Sequence, residues 1–509
     1  MARFSLITCL AVALQAASTF AADVAKRPNI LFAISDDQSY PHCSAYGNTA
    51  VKTPAFDRIA EMGVLFHQAF SGSPGCSPSR ACILTGRYPW QLEHAGTHAS
   101  SFSAKYEVFP DLLETAGYAV GYTGKGWGPG NYQDGGRSRN PAGPEFSKLK
   151  LPETPPGIRS TDYAGNFEAF LETRKEGQPF CFWYGSSEPH RVFKKGIGRE
   201  QGKRLEEAVV PPFLPDTPEI RSDILDYSVE IEWFDKHLAR MLSRLRELGE
   251  LENTLIIATS DNGMAFPRAK ANVYEYGIHL PLAISWPERF SGGKDSHALV
   301  SFVDFAPTIL EAAGVRLPQV YPMTGVSLLT HMSQEEPAAT VDGTREAVFS
   351  GRERHSSSRY QNWTYPQRAL RNQQYLYIRN FRPERWPAGA PQKYDQPGQL
   401  GVMHGAYHDI DACPSMTFLI DQRNNPKMAP YFHLAVDKRP AEELFRIDLD
   451  EGCLVNLAQD PRYQADLEEL RQALEKALRQ HGDSRLGNDP DIWERYRRYS
   501  RIRSFPKPD

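Results

Sequence analysis

The stretch Arg27-Pro28-Asn29-Ile30-Leu31-Phe32-Ala33-Ile34-Ser35-Asp36-Asp37 runs an unbroken apolar segment, Asn29–Ile34, into an abrupt acidic stop. A strand with one wet face would alternate. A short unbroken run suits a strand buried on both faces, as in a parallel sheet. Tyr118–Tyr122, Phe180–Tyr184 and Thr254–Thr259 repeat the pattern. Helical patterns lie between them. Pro110–Ala116 stops at Gly117, a residue suited to the left-handed turn after a helix. Glu219–Glu250 sets Ile224, Ile231, Phe234, Leu238, Met241 and Leu245 at helical spacing. Val303–Ala313 stops at Gly314. Strands alternating with helices predict an α/β domain with a large, mostly parallel sheet flanked by helices.

Outward from this frame, residues 129–160 are rich in Pro, Gly and polar residues and read as a surface loop over the sheet edge. Past about residue 365 the character changes. Ala369–Phe381 and Glu443–Leu449 read as strands of an antiparallel sheet, and Ala465–Gln480 as an amphipathic helix. The expected organisation is a leader over 1–22, a main domain over 23–365 and a smaller C-terminal subdomain over 366–509. Residues 1–22 have a positive start at Arg3, an apolar stretch from Phe4 to Ala17 and the small-residue pattern Thr19-Phe20-Ala21. This is the pattern of a secretory signal cut near Ala21 or Ala22.

The whole chain has 509 residues, 58 basic and 62 acidic, for a net charge of −4. No basic block marks nucleic acid or an anionic membrane as a general partner. No apolar run reaches the roughly 18–20 residues of a membrane span. Six cysteines follow the leader, few for an exported chain of this length, so disulfides do not hold the fold together. Cys413 and Cys453 are the candidates for a pair.

Each strand hands over to polar residues. Ser35-Asp36-Asp37, Gly124-Lys125-Gly126, Ser187-Glu188-Pro189-His190 and Ser260-Asp261-Asn262-Gly263 follow the four runs. Taken singly, an Asp-Asp pair reads as a helix cap and turn, and Ser-Asp-Asn-Gly as a turn. Taken together they gather at one rim, because ligands of open parallel sheets bind beyond the carboxyl ends of the strands. Asp36, Asp37, Asp261 and Asn262 form a hard oxygen set suited to Ca²⁺ or Mg²⁺ and not to zinc. Lys125 and His190 suit an oxyanion.

The run Cys76-Ser77-Pro78-Ser79-Arg80-Ala81-Cys82-Ile83-Leu84-Thr85-Gly86-Arg87 reads as a helix N-terminus carrying Cys76 on its first turn or just before it. Free N–H groups and the helix dipole favour an anion there, and Arg80 adds a cation. The plainer alternative makes Cys76 a small buried hydrophobe, which is the reading for Cys82.

This string resembles the signature of the formylglycine-dependent sulfatases. The likeness extends to Arg27–Ile30, the Asp36/Asp37 pair, Ser260–Gly263, Gly277-Ile278-His279-Leu280-Pro281 and Glu443-Leu444-Phe445 with Asn456-Leu457-Ala458. It implies an alkaline-phosphatase-like α/β sandwich with a small C-terminal antiparallel subdomain. It also implies that a separate formylglycine-generating enzyme oxidises Cys76 to formylglycine (3-oxoalanine), whose hydrated form attacks sulfur. Asp36, Asp37, Asp261, Asn262 and the modified Cys76 would hold Ca²⁺, with Mg²⁺ the alternative. Arg80 would hold the gem-diol. Lys125, His190 and Lys270 would grip sulfate oxygens, with His190 and Lys270 placed to protonate the leaving group.

One departure stands out. Family members carry a histidine two residues after this lysine, where this chain has Trp127. His94 and His98 are the candidates to replace it. Within the family, Glu188–Arg191, Val210–Pro218 and Ser260–Pro267 resemble sulfamidases, although sulfamidases have arginine at the position of Lys270. The resemblance therefore favours an N-sulfoglucosamine sulfohydrolase. An O-sulfatase, a phosphoester hydrolase of the same fold and a non-catalytic glycan binder are the alternatives. Arg352, Glu353, Arg354 and His355, with the Arg382–Trp386 loop, are candidates for sugar recognition. The expected partners are a sulfated carbohydrate and the maturation enzyme, with a homodimer compatible. The expected location is secreted or periplasmic, and lysosomal only in a eukaryote. Asn362 is the sole Asn-x-Ser/Thr site, which leans away from a heavily glycosylated lysosomal enzyme.

Overall fold

The computed structural model describes residues 27–508. The leader read over residues 1–22 lies outside them. Seven strands form one sheet: β1 Asn29–Ser35, β2 Gly63–Phe66, β3 Ala119–Gly124, β4 Phe180–Gly185, β5 Thr254–Ser260, β6 Leu282–Ser285 and β7 Lys294–Ser296. Their order is β3-β4-β1-β5-β6-β2-β7. β3, β4, β1 and β5 run parallel, and β6 runs against both its neighbours.

Six helices flank the sheet: α1 Pro54–Glu61, α2 Cys76–Thr85, α3 Phe109–Thr115, α4 Tyr163–Leu171, α5 Pro218–Glu247 and α6 Phe305–Ala312. β1 explains why its run is unbroken. Ile30, Phe32 and Ile34 enter one core with Ala81 and Leu84 of α2, Leu113 of α3 and Ile309 of α6. Leu31 and Ala33 enter another with Phe56 of α1, Phe167 of α4 and Phe234 and Leu238 of α5. Both faces are covered, and each large apolar side chain taken out of water contributes about 1.5–3 kcal/mol.

Local chemistry sets the ends. Thr217 caps α5 by accepting the Ile220 N–H, and Pro218 sits at the first helical position, where a missing N–H costs nothing. The expected reach to Glu250 is cut short because Gly249 turns left-handed, at φ 65°. The 129–160 segment covers the edge strand β3. Phe146 N–H donates to Tyr122 O at 2.7 Å, and Tyr122 N–H donates to Pro144 O at 2.9 Å. An edge left bare would invite another chain.

The C-terminal sheet is antiparallel: β8 Val348–Arg352, β9 Gln367–Arg371, β10 Tyr375–Asn380 and β11 Glu442–Arg446, paired in that order. β8 lies before residue 365, so this sheet starts ahead of the expected boundary. Ala369–Phe381 is a hairpin and not one strand, because Asn372 Oδ1 accepts the N–H groups of Gln374 and Tyr375 and turns the chain. The helices of this region include α7 Pro414–Asp421 and α8 Gln464–Gln480, the latter burying Leu467, Leu470, Leu474 and Leu478. Cys413 and Cys453 are both free. The expected pairing fails because they pack into different cores, Cys413 with Met264 and Phe266 and Cys453 with Val273 and Tyr274. Among the described residues no helix is long and apolar enough to cross a membrane.

Candidate active site

Strand register assembles the site. Ser35 of β1 lies opposite Ser260 of β5, so Asp36-Asp37 and Asp261-Asn262 leave the sheet side by side. Gly185 of β4 lies opposite Ile34 of β1 on one side and Gly124 of β3 on the other. Lys125 and the turn leading to His190 therefore emerge at the same edge. Asp37 turns left-handed, at φ 75°, and its N–H donates to Asp261 Oδ1 at 3.1 Å. Asp36, Asp37, Asp261 and Asn262 are buried.

Helix α2 points its N-terminus at this rim, with Gly75 as the extended residue before Cys76. Cys76 Sγ lies 3.5 Å from Asp36 Oδ1 and 4.0 Å from Asp37 Oδ1. Arg80, one turn on, is wholly buried. Its Nε donates to Asp261 Oδ2 at 2.7 Å, and its Nη1 donates to the carbonyls of Lys125 and Gly126 at 2.5 and 3.0 Å. Its Nη2 is buried without a partner. Lys125 Nζ bonds Asp36. Lys270 Nζ lies 2.6 Å from Asp37 Oδ2. His190 Nε2 is 3.9 Å from Asp37 Oδ2, and the Nδ1 side of the ring faces Arg191 O at 2.7 Å.

Charge sets the protonation here. Burial opposes ionisation of Asp36, but Lys125, His190, Arg80 and Lys270 outweigh it and hold the carboxyl well below its ordinary range. Burial, and then the Asp36 charge, push Asp261 up. Burial pushes the Cys76 thiol well up, so Cys76 as a plain thiol is a poor nucleophile in this pocket. Burial works against the Lys270 ammonium, yet Asp37 and Asp411 raise its pKa well above normal.

A divalent ion fits this donor set. Ligand atoms of Asp36, Cys76 and Asp261 lie within 4.8 Å of one another. Asn262 donates through Nδ2 to Asp37 Oδ1 at 2.7 Å, leaving its Oδ1 buried with no partner. An orphaned buried carbonyl beside three carboxylates is an oxygen ligand in waiting, and an all-oxygen set suits Ca²⁺ or Mg²⁺.

Trp127 does not face Cys76 as a base could. Its Nε1 donates to Ser77 O at 3.0 Å and its ring is buried against Phe102. His94 packs at a tilt against Tyr496, with centroids 4.1 Å apart, and His98 lies beside His355, with centroids 4.6 Å apart. Neither hydrogen-bonds to Cys76.

The residues expected to read the sugar are used otherwise. Glu353 takes both oxygens to Arg368 and Arg485, at 2.8 and 2.6 Å. Arg352 donates to Asp409 at 2.6 Å, and Arg354 to Tyr496 O at 2.6 Å. All three are buried, and His355 packs beside Gly75, at the N-terminal end of α2. In the Arg382–Trp386 loop, Arg382 pairs with Asp491 and Arg385 with Glu494. The run is held from the C-terminal segment, which a local reading cannot see: Glu353 is fully paired, while Arg352 and Arg354 each keep Nε and Nη1, and His355 its Nδ1, buried with no partner among the described residues.

Sequence reasoning missed Asp411. Its Oδ2 lies 2.8 Å from Lys270 Nζ, and its carboxylate groups with Asp37 and His190. Asp409-Ile410-Asp411 precedes a helix cap and carries no pattern that sets it apart from a turn. Trp183 was also missed. It lies against the Arg80 guanidinium, 5.9 Å from ring centroid to Cζ, and donates to Lys125 O at 3.0 Å.

Comparison with known proteins agrees with this geometry. Residues 28–315 match the sulfatase family, and residues 268–386 match the family described as N-sulphoglucosamine sulphohydrolase, C-terminal. The chain is 28% identical to an ulvan-active sulfatase of Formosa agariphila, over 90% of this chain and 76% of that one. It is 28% identical to the human N-sulphoglucosamine sulphohydrolase, over 89% of this chain and 90% of that one. Among solved structures, one described as a complex with its substrate D-glucosamine-2-N,6-O-disulfate superimposes with a TM-score of 0.64 at 22% identity, over 92% of this chain and 99% of that one. A phosphonate monoester hydrolase of Agrobacterium radiobacter shares the fold, with a TM-score of 0.58 at 18% identity, over 90% of this chain and 97% of that one.

Proposed function

The chain belongs to the sulfatase family, and we propose that it is an exported enzyme that removes sulfate from a sulfated carbohydrate, with N-sulfoglucosamine as the favoured substrate. One observation carries the reading. The Cys76 side chain, at the start of a helix and backed by Arg80, meets three carboxylates, an orphaned amide oxygen and two lysines at the mouth of the sheet. The match of residues 268–386 to the sulphohydrolase C-terminal family and the leader pattern in residues 1–22 support substrate and export respectively.

Cys76 is proposed to act after oxidation to formylglycine, which supplies a hydrated aldehyde as nucleophile. Asp36, Asp37, Asp261 and Asn262 are proposed to hold Ca²⁺, which supplies positive charge at the sulfuryl oxygens when bound. Arg80 fixes the nucleophile end through its unpaired Nη2. Lys125 and Lys270 exchange part of their carboxylate contact for sulfate oxygens, stabilising charge where it develops. His190, part-exposed and tethered through Nδ1, presents Nε2 to the leaving group as its proton source.

A second reading, O-sulfate hydrolysis, is favoured by Lys270 standing where sulfamidases carry arginine. The deciding experiment measures sulfate release by the matured enzyme with Ca²⁺. The substrates are oligosaccharides ending in N-sulfoglucosamine and the same sugars O-sulfated at position 6 or 3. Release from the N-sulfated end alone is expected. Release from O-sulfated sugars alone overturns the substrate, and release from none overturns the activity on these glycans.

A further inference from the structure

Asp411 is a negative charge at the lip of a site built for an anion. Its side chain is 29% exposed, whereas Asp37 is 0% and Lys270 4% exposed. Its carboxylate bonds Lys270 and groups with Asp37 and His190, away from the Asp36, Cys76 and Asp261 group. Among the described residues its Oδ1 has no hydrogen-bond donor.

The chain holds it there firmly. Two residues before, Asp409 is buried and accepts from Arg352 and Arg359, each at 2.6 Å, and from the Ser356 N–H at 2.8 Å. Ile410 packs with Met264, Phe266 and Ala269 of the loop that carries Lys270. Four residues after, Ser415 Oγ bonds Asp223 Oδ2 at 2.5 Å. Asp223 also pairs through both oxygens with Arg191, next to His190. One clamp thus sets the positions of both Asp411 and His190. The pairing of Arg352 with Asp409 finds its use here, since it delivers Asp411 to the rim.

A fixed carboxylate with a free oxygen beside an anion pocket repels anions and accepts hydrogen bonds. Part-exposed and grouped with Asp37 and His190, it is within reach of the group that would carry the sulfate. Resting on the reading of this rim as a sulfated-sugar site, we propose that Asp411 is a specificity-determining residue. Its Oδ1 accepts a hydrogen bond from a hydroxyl or N–H of the sugar beside the scissile sulfate, and its charge rejects a second anionic group at that position.

The test is calorimetric binding to the Cys76→Ala protein with Ca²⁺, which removes turnover from the readout. The probes are N-sulfoglucosamine, glucosamine 6-sulfate and inorganic sulfate. Adding Asp411→Ala is expected to weaken the better-bound sugar about tenfold, the loss of one charge-assisted hydrogen bond. Inorganic sulfate, which lacks the donor, is expected to bind as well or better. Asp411→Asn keeps the acceptor and the shape. It is expected to retain most sugar affinity and to gain affinity for N-sulfoglucosamine carrying an added 3-O-sulfate. Sugar affinity changed less than about twofold by Asp411→Ala, or sulfate and sugar weakened equally, overturns the proposal, the second outcome making Asp411 a mere support for Lys270. Absence of sugar binding to the Cys76→Ala protein also overturns it. Sugar binding with no sulfate release from the matured wild type sinks the activity reading and leaves Asp411 as a sugar contact.

Discussion

Two clusters of buried ions, built from the same residue types, differ in whether they are closed. At the carboxyl edge of the large sheet, Asp36, Asp37 and Asp261 face Arg80, Lys125 and Lys270, and this group leaves Arg80 Nη2 and Asn262 Oδ1 without partners. Between β9 and the segment after α8, Arg368 and Arg485 face Glu353 and Asp483, and no polar side-chain atom of these four is left over. Arg368 alone donates to Asp483 and Glu353 and to the carbonyls of Arg352 and Gln367. Density of buried charge therefore does not mark function. What sets the first cluster apart is open coordination among several charges at one rim, because a buried polar atom without a partner carries a desolvation cost that a ligand can remove.

The sharpest way to break this comparison is Cys76→Ala. It is expected to lower sulfate release at least about 10⁴-fold while the melting temperature stays in place. A large fall in melting temperature would make the rim structural. Arg368→Ala should do the reverse. Leaving Asp483 buried without its cation, and Glu353 with Arg485 alone, costs about 3–5 kcal/mol, read as a lower denaturant midpoint. An unchanged midpoint would put the closed cluster in doubt. Ca²⁺ separates the clusters next. At a hundredfold excess over its dissociation constant it should stabilise the wild type by about 2.7 kcal/mol, and chelation should remove that gain. Asp261→Ala should be indifferent to both.

Glu230, in α5, is a third case, buried with one oxygen unpartnered and no cation in bonding contact. Burial, and then the Glu188 charge, push its carboxyl up to about 8 from an ordinary 4.5. The folded state thus holds a proton that the unfolded chain releases. Its contribution is fully present below pH 4.5 and is lost as pH rises through about 8. Glu230→Gln should flatten that decline, by about 3–4 kcal/mol between pH 5 and 8. A parallel pH profile for wild type and variant would count against the raised carboxyl. The smallest effect belongs to His94→Ala, expected to change turnover less than about twofold because the ring packs at a tilt against Tyr496 and touches no site residue. A tenfold loss would restore His94 as the replacement for the absent histidine.

Much of this molecule is legible along the chain. Unbroken apolar runs predicted buried strands, and the strands are buried on both faces. The Cys76–Arg87 string predicted a helix opening on cysteine, and α2 opens there. The polar residues after each run sit at one edge, because parallel strands end together. Boundaries were less legible where a single side chain decides them, as Asn372 does in splitting a strand into a hairpin.

What the sequence determined by itself was the set of local and periodic features: strand type, helix faces and the residues of the nucleophile string, each read within a few turns of chain. What only the tertiary structure decided was the fate of isolated charges. Arg352 and Glu353 looked like sugar contacts and pair with Asp409, Arg368 and Arg485, while Asp411, which no sequence pattern singled out, reached the rim. Lys270 meets Asp411 across 141 residues, and Arg368 meets Asp483 across 115. A charge acquires its role from the partner that burial brings to it, and no local pattern encodes that partner.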